Sequence, residues 1–118
     1  MSGESYGSAE IRYTPEFKRN LRALAKKYPH IRSDLQPVID QLQRGETVGD
    51  QVPKAGYAIF KVRVRNSEIR KGKRSGYRLI YHLRAPMNIV LVTFYSKLDQ
   101  ADISPQEIRR ILKEFKHR

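Results

Sequence analysis

Three β-patterned runs in the second half of the chain, residues 57–65, 76–83 and 89–95, constrain its fold more than any other feature. In the first run apolar and basic residues alternate, so Phe60 lies on one strand face and Lys61 and Arg63 lie on the other. If the first two runs pair as a hairpin, the face that holds Arg78 coincides with this basic face. The third run, IVLVTFY, is almost continuously apolar, which is typical of a central strand covered on both faces.

Helical patterns flank these runs. Thr14 and Pro15 suit the N-cap and first position of a helix that ends before Pro29. A second apolar pattern predicts a helix over about 30–44, in which Pro37 leaves open an early position, a later helix start or a kink. The sequence SPQE at 104–107 is a capping box and predicts a last helix.

The order of these elements defines the predicted fold class. Residues 9–13 form a short first strand, and the Gly- and Pro-rich segment 45–56 is expected to be a loop. The order β-α-α-β-β-β-α predicts an α+β domain with a small, mainly antiparallel sheet, an N-terminal helical hairpin and a C-terminal helix. We expect a flexible lead-in at 1–8 and a single domain over 9–118.

The net charge of +12 and the pI near 10.2 favour a polyanionic partner. The absence of cysteine excludes disulfides and thiolate chemistry. No apolar run reaches the length of a membrane span, and the first residues do not resemble a secretion signal. We therefore expect a cytoplasmic protein that does not bind a membrane.

Cations, rather than a known catalytic motif, carry the predicted chemistry. The chain has no phosphate-binding glycine loop and no nucleophile elbow. Arg78 is the best candidate to stabilise a reacting phosphate, because an arginine grips phosphate with two donors. Lys61 is a possible general base, because surrounding like charges favour its neutral form. The site is predicted to need neither metal nor cofactor, and Asp99 and Asp102 are expected to serve the loop and the start of the last helix.

The roles of Tyr95 and His82 stay open at this point. Tyr95 ends the apolar run and is expected to be the most exposed of the strand aromatics, suited either to stacking on a base or to proton transfer. His82 lies on the Arg78 face by alternation but could fall beyond the site. A solvated basic surface without a specific ligand is the alternative to all of these roles.

Three segments carry a resemblance to a known family. FKVRVR at 60–65, KGKRSGYRLIYHL at 71–83 and IVLVTFYSKLDQADISPQEIRRIL at 89–112 resemble the RelE/ParE superfamily of type II toxin–antitoxin toxins, in particular its RelE and HigB branches. The resemblance spans about residues 9–113, and GYRLIY is its most specific part. It implies a RelE-like fold and a ribosome-dependent endoribonuclease. Such an enzyme cuts mRNA in the ribosomal A site without a metal, by attack of the 2′-hydroxyl on the adjacent phosphate.

The resemblance also implies roles for single residues. Lys61 and Arg63 match basic catalytic positions, Arg78 matches the arginine that stabilises the transition state, and Lys97 falls near a further basic position. The tyrosine that RelE uses for base stacking corresponds to about Ile103, so either Tyr95 replaces it or this branch stacks differently. Residues expected to contact RNA or the ribosome are Arg65, Arg70, Lys71, Lys73, Arg74 and His82.

The implied partners are a cognate antitoxin protein, the ribosome with its RNA, and mRNA, and no homo-oligomer is required. Two other functions stay open. One is a ParE-like toxin that poisons DNA gyrase, although that branch does not keep the set Lys61, Arg63 and Arg78. The other is a basic RNA-binding module without catalytic activity.

Overall fold

The computed structural model describes residues 8–56, 58–69 and 76–116, which form three helices and five strands. In chain order these are β1 (Glu10–Tyr13), α1 (Pro15–Lys27), α2 (Ile31–Gln43), β2 (Asp50–Gln51), β3 (Ile59–Val64), β4 (Tyr77–Ala85), β5 (Asn88–Ser96) and α3 (Pro105–Lys116).

The five strands form one sheet in the order β1-β5-β4-β3-β2. Strand β1 runs parallel to β5, and the other neighbours pair in antiparallel fashion. The predicted α+β class, with an N-terminal helical hairpin and a C-terminal helix, is confirmed. β5 lies between β1 and β4 and is buried from Ile89 to Ser96, as its continuous apolar sequence predicts.

The short strand β2 is a correction, because it lies in the segment predicted as a loop. Gly49 precedes it with φ of +87°, and a Cβ there would lie 2.4 Å from the carbonyl oxygen of Lys61. Glycine thus allows the backbone to approach β3 closely enough for Asp50 to pair with Lys61. A glycine in a loop-like sequence does not by itself reveal such a long-range approach.

The predicted helix starts are confirmed at α1 and α3. The Thr14 hydroxyl accepts a hydrogen bond from the Phe17 N–H at 3.0 Å, and the Ser104 hydroxyl accepts one from the Glu107 N–H at 3.1 Å. Thr14 also donates to the carbonyl oxygen of Val92 in β5 at 2.6 Å, which ties α1 to the sheet. α2 runs through the exposed Pro37 without interruption.

The sheet separates two hydrophobic clusters. Helices α1 and α2 cover one face, where Phe17, Leu42 and Phe94 are buried. Helix α3 covers part of the other face, where Ile108 is fully buried near Ile80. Tyr77, Tyr81 and Phe94 are also buried, so these rings pack in the core and do not stack on bases. In the part of the chain that the structure describes, no helix has the length and apolar character needed to cross a bilayer.

Candidate functional site

Three predicted site residues lie in one row across the sheet. Arg63 in β3 is directly opposite Arg78 in β4, and Arg78 is directly opposite Tyr95 in β5. Residues that face each other across antiparallel strands point to the same side of the sheet. Lys61 lies two residues from Arg63 and so shares this side. The strand register therefore brings Lys61, Arg63 and Arg78 to one face, which we call the basic face.

A glycine at the start of β4 keeps this row compact. A Cβ at Gly76 would lie 2.6 Å from the carbonyl oxygen of Val64, so only glycine permits this approach of the two strands. The Gly76 carbonyl oxygen also accepts a hydrogen bond from the Lys97 N–H at 3.1 Å. The motif GYR thus places Arg78 beside β3 and holds the first residue after β5 next to it.

The basic face is only partly covered. Ile108 and Ile111 of α3 are buried against the same side of the sheet, whereas Arg63 is exposed and Arg78 is partly exposed. The side chain of Lys61 is 36% exposed and that of Lys97 is 26% exposed. A ligand can therefore reach the cations beyond the edge of α3.

Asp102 lies among these cations, which the sequence analysis did not anticipate. Its Oδ1 atom is 3.2 Å from Nζ of Lys97 and 3.6 Å from Nζ of Lys61. The same oxygen accepts a hydrogen bond from the Tyr95 hydroxyl at 3.2 Å. Asp102 was expected to serve the loop and the start of α3, and the structure adds a further role, because its carboxylate is the counter-ion of Lys61 and Lys97 on the basic face.

The charges around Asp102 fix its ionisation. Partial desolvation opposes ionisation, but the hydrogen bond from Lys97 and the charge of Lys61 hold the pKa of Asp102 below its usual value. The carboxylate is therefore charged at neutral pH. Lys61 therefore has a carboxylate counter-ion as well as cationic neighbours, and its role as a general base stays a prediction.

Tyr95 is buried, with 3% of its surface exposed, and the expectation that it is exposed for base stacking is wrong. Its ring packs in the cluster beneath α3 with Ile108 and Ile111, which alternation within β5 could not reveal. Burial raises the pKa of Tyr95 to about 12, and the Asp102 carboxylate adds to the rise. The hydroxyl is therefore protonated at neutral pH and acts as a hydrogen-bond donor within the site.

Arg78 is oriented by its own strand. One terminal nitrogen of its guanidinium donates to the carbonyl oxygen of Tyr77 at 3.2 Å. The charge of Arg78 also acts on the Tyr95 hydroxyl, whose ionised form it favours. The charge of the Arg78 guanidinium therefore influences the ionisation of the Tyr95 phenol.

Two further residues predicted to contact RNA or the ribosome, Arg65 and His82, lie in the described part of the chain. Arg65 follows β3 and is exposed. His82 lies on the side of the sheet that carries Arg78, four residues further along β4, and lines a separate groove of about 550 Å³ beside α3. It therefore lies beyond the Arg63–Arg78 row. Arg70, Lys71, Lys73 and Arg74 fall outside the described residues.

Residues 66–69, which precede the basic residues at 70–74 in the sequence, are hydrogen-bonded to the start of α2. The backbone N–H and the hydroxyl of Ser67 both donate to Asp34, at 3.0 and 3.1 Å. The carboxylate of Glu68 accepts a hydrogen bond from the backbone N–H of His30 at 2.8 Å. Residues 66–69 thus have a defined anchor on the helical hairpin.

This arrangement suits an anionic ligand. Several fixed cations beside a neutral phenol can bind a phosphate group and stabilise added negative charge on it. Over residues 8–56, 58–69 and 76–116, no group of three or more His, Cys, Asp or Glu side chains is placed to hold a metal ion. The sequence contained one indication that an acid lies among these cations. Adjacent cations on a sheet require a counter-ion, and residues 97–104 contain two acids, Asp99 and Asp102.

No protein-family model matches the chain, and the search of curated proteins finds no significant match. The function is therefore inferred from the chemistry of the site and from the sequence resemblance.

Proposed function

We propose that this chain is a toxin of the RelE-like kind, an endoribonuclease that cuts mRNA in the ribosomal A site by attack of the 2′-hydroxyl. One observation carries the proposal. Lys61, Arg63 and Arg78 share a partly open sheet face, and Tyr95 and Lys97 lie at its border. Such a set of cations on stiff strands can hold a phosphodiester at a fixed distance.

The chemistry requires little beyond these side chains. The 2′-oxygen attacks the adjacent phosphorus, the bond from phosphorus to the 5′-oxygen breaks, and the products are a 2′,3′-cyclic phosphate and a 5′-hydroxyl. The 2′-hydroxyl passes its proton to water, and the departing 5′-oxygen takes one from a neighbouring lysine of the basic face. Negative charge grows on the non-bridging phosphate oxygens, where Arg78 can donate two hydrogen bonds.

The neighbouring cations take complementary roles. Arg63, directly across from Arg78, adds a second positive charge to the same phosphate. Lys61 and Lys97 lie beside the same carboxylate, and either side chain is a candidate proton donor to the departing oxygen. The neutral Tyr95 hydroxyl donates to Asp102 and so supports the site without itself contacting the phosphate.

The sequence resemblance and the net charge of the chain support the proposed partners, which are the ribosome and an antitoxin. A net charge of +12 favours encounter with ribosomal RNA, and its effect depends strongly on salt. A cytoplasmic location and an antitoxin with an acidic or amphipathic segment that covers the basic face follow from the same proposal.

Arg78→Ala tests the proposal in a reaction with programmed ribosomes. Removing a fixed donor to the transition state should slow cleavage by about 10²–10³-fold while much of the ribosome binding remains. Arg22→Ala is the matched control, because Arg22 is an exposed arginine on α1 and its loss changes the net charge equally. Cleavage sites are mapped from RNA ends, and binding is measured by co-sedimentation with ribosomes.

Three outcomes contradict the proposal. Intact mRNA together with loss of DNA supercoiling by gyrase would favour a ParE-like toxin. Ribosome binding without either activity would favour an RNA-binding module. Equal cleavage by wild type and Arg78→Ala would remove Arg78 from the catalytic set.

A further inference from the structure

We propose that Asp102 is a positioning residue, which gathers Lys61, Lys97 and the Tyr95 hydroxyl around one oxygen atom and thereby sets the geometry of the basic face. This inference rests on the proposed function, since it assigns Asp102 a part in the same reaction. It concerns an acidic side chain in a site whose ligand is itself an anion.

The first argument is geometric. Two ammonium groups and one phenol, from β3, β5 and the residue after β5, meet at Oδ1 of Asp102 at 3.2–3.6 Å. Lysine side chains have many rotamers and lose about 2 kcal/mol of conformational free energy when they are fixed. A shared carboxylate restricts Lys61 and Lys97 before a substrate arrives, so part of that cost is met in the free protein.

The second argument is that Asp102 is itself held in place. The neighbouring Ile103 packs against the cluster beneath α3, and Ser104 caps that helix through Glu107. At the other end of the loop, the hydroxyl of the buried Ser96 accepts a hydrogen bond from the Leu98 N–H at 3.2 Å. The carboxylate therefore projects from a segment anchored at both ends, as a positioning group requires.

The third argument is electrostatic. An ionised carboxylate beside the cations weakens the attraction of a polyanion, so Asp102 works against affinity for RNA. If this position served only RNA binding, a neutral residue there would give a higher affinity for RNA. Its presence is explained if correct placement of the cations during the reaction matters more than their total charge.

The test compares Asp102→Asn with Asp99→Asn. Both variants remove one negative charge from the same loop, but Asp99 pairs with Lys27 of α1 at 3.0 Å, and α1 covers the opposite face of the sheet. For Asp102→Asn we expect the single-turnover cleavage rate on ribosomes to fall about 10-fold or more, because the cations lose their common position. RNA affinity should rise by about 2- to 5-fold, as expected for loss of a partly exposed charge pair. Asp99→Asn should leave both quantities close to those of wild type.

A second measurement does not depend on RNA cleavage. NMR titration of ¹³C-labelled tyrosine reports the ionisation of Tyr95, which should occur at lower pH in Asp102→Asn because the nearby negative charge is gone. In Asp99→Asn it should be unchanged. Retained chemical shifts elsewhere show that the variant is folded.

The outcomes separate the two proposals. If the wild type cleaves mRNA and Asp102→Asn cleaves equally fast, the positioning role is overturned and the proposed function stands. If both the rate and the affinity fall, Asp102 supports binding rather than geometry, which also overturns the inference. If the wild type does not cleave mRNA, the proposed function fails and takes the inference with it, even where the titration of Tyr95 shifts as expected.

Discussion

Thr14 connects the first helix to the central strand, and its replacement by valine should destabilise the protein strongly. The Thr14 hydroxyl is fully buried and has two partners, the N–H of Phe17 and the carbonyl oxygen of Val92. The pairing register between β4 and β5 shifts at Val92, and the Thr14 hydroxyl donates to the carbonyl oxygen of this residue. Valine has nearly the shape of threonine but makes neither bond.

The expected loss follows from these two bonds. Removal of an N-cap side chain costs about 0.5–2 kcal/mol. A buried carbonyl oxygen left without a donor costs about 1–3 kcal/mol more. The added methyl group of valine returns up to about 0.8 kcal/mol through apolar burial. We therefore expect Thr14→Val to lower the free energy of unfolding by about 1–4 kcal/mol.

Urea unfolding followed by far-UV circular dichroism measures this loss, since the chain has no tryptophan to report it by fluorescence. With the usual urea dependence, the midpoint should fall by roughly 0.5–2 M. Thr14→Ser is the matched control, because it keeps both hydrogen bonds and removes only a methyl group, at a cost of about 1 kcal/mol. An unchanged or higher midpoint for Thr14→Val would refute the reasoning, since the hydroxyl would then contribute nothing to stability.

Two further predictions concern the strands that carry the site. Gly76→Ala should lower the free energy of unfolding by about 1–3 kcal/mol, because its Cβ would meet the backbone of Val64 at 2.6 Å; unchanged urea stability would contradict this close approach. Tyr95 has a pKa of about 12 in the folded protein and about 10 when unfolded, so its neutral form contributes stability that is present below pH 10 and lost as the pH rises to 12. The stability difference between wild type and Tyr95→Phe should therefore shrink over this pH range, and a constant difference would show that Tyr95 is not buried.

The elements that the sequence predicted are those encoded by local patterns. Alternation along 57–65 and 76–83 gave the strand faces that hold Lys61 and Arg78, and the register of the pairing between β3 and β4 brings these faces together. The cap at Thr14 was readable because its partner Phe17 lies three residues away. These features depend on neighbours in sequence.

The features that were missed depend on contacts between distant segments. Alternation gives the face on which Tyr95 lies but does not reveal that α3 covers it. The position of Asp102 depends on how the loop after β5 folds back toward β3, and no periodicity describes that path. β2 likewise forms because Gly49 can approach Lys61, a contact that is set by the tertiary structure.

The central position of β5 has a consequence for synthesis of the protein. A growing chain that has emerged only as far as β4 has both helices of the hairpin but lacks the strand on which α1 packs and with which β1 pairs. Such a nascent chain leaves the apolar side chain of Ile80 without α3, which covers it in the folded protein, and chaperones recognise exposed apolar surface of this kind. Tyr95 and Lys97 are also translated after β4, so no emerging fragment that stops there contains the complete site. Translation order alone thus delays completion of the candidate site until most of the chain has been made.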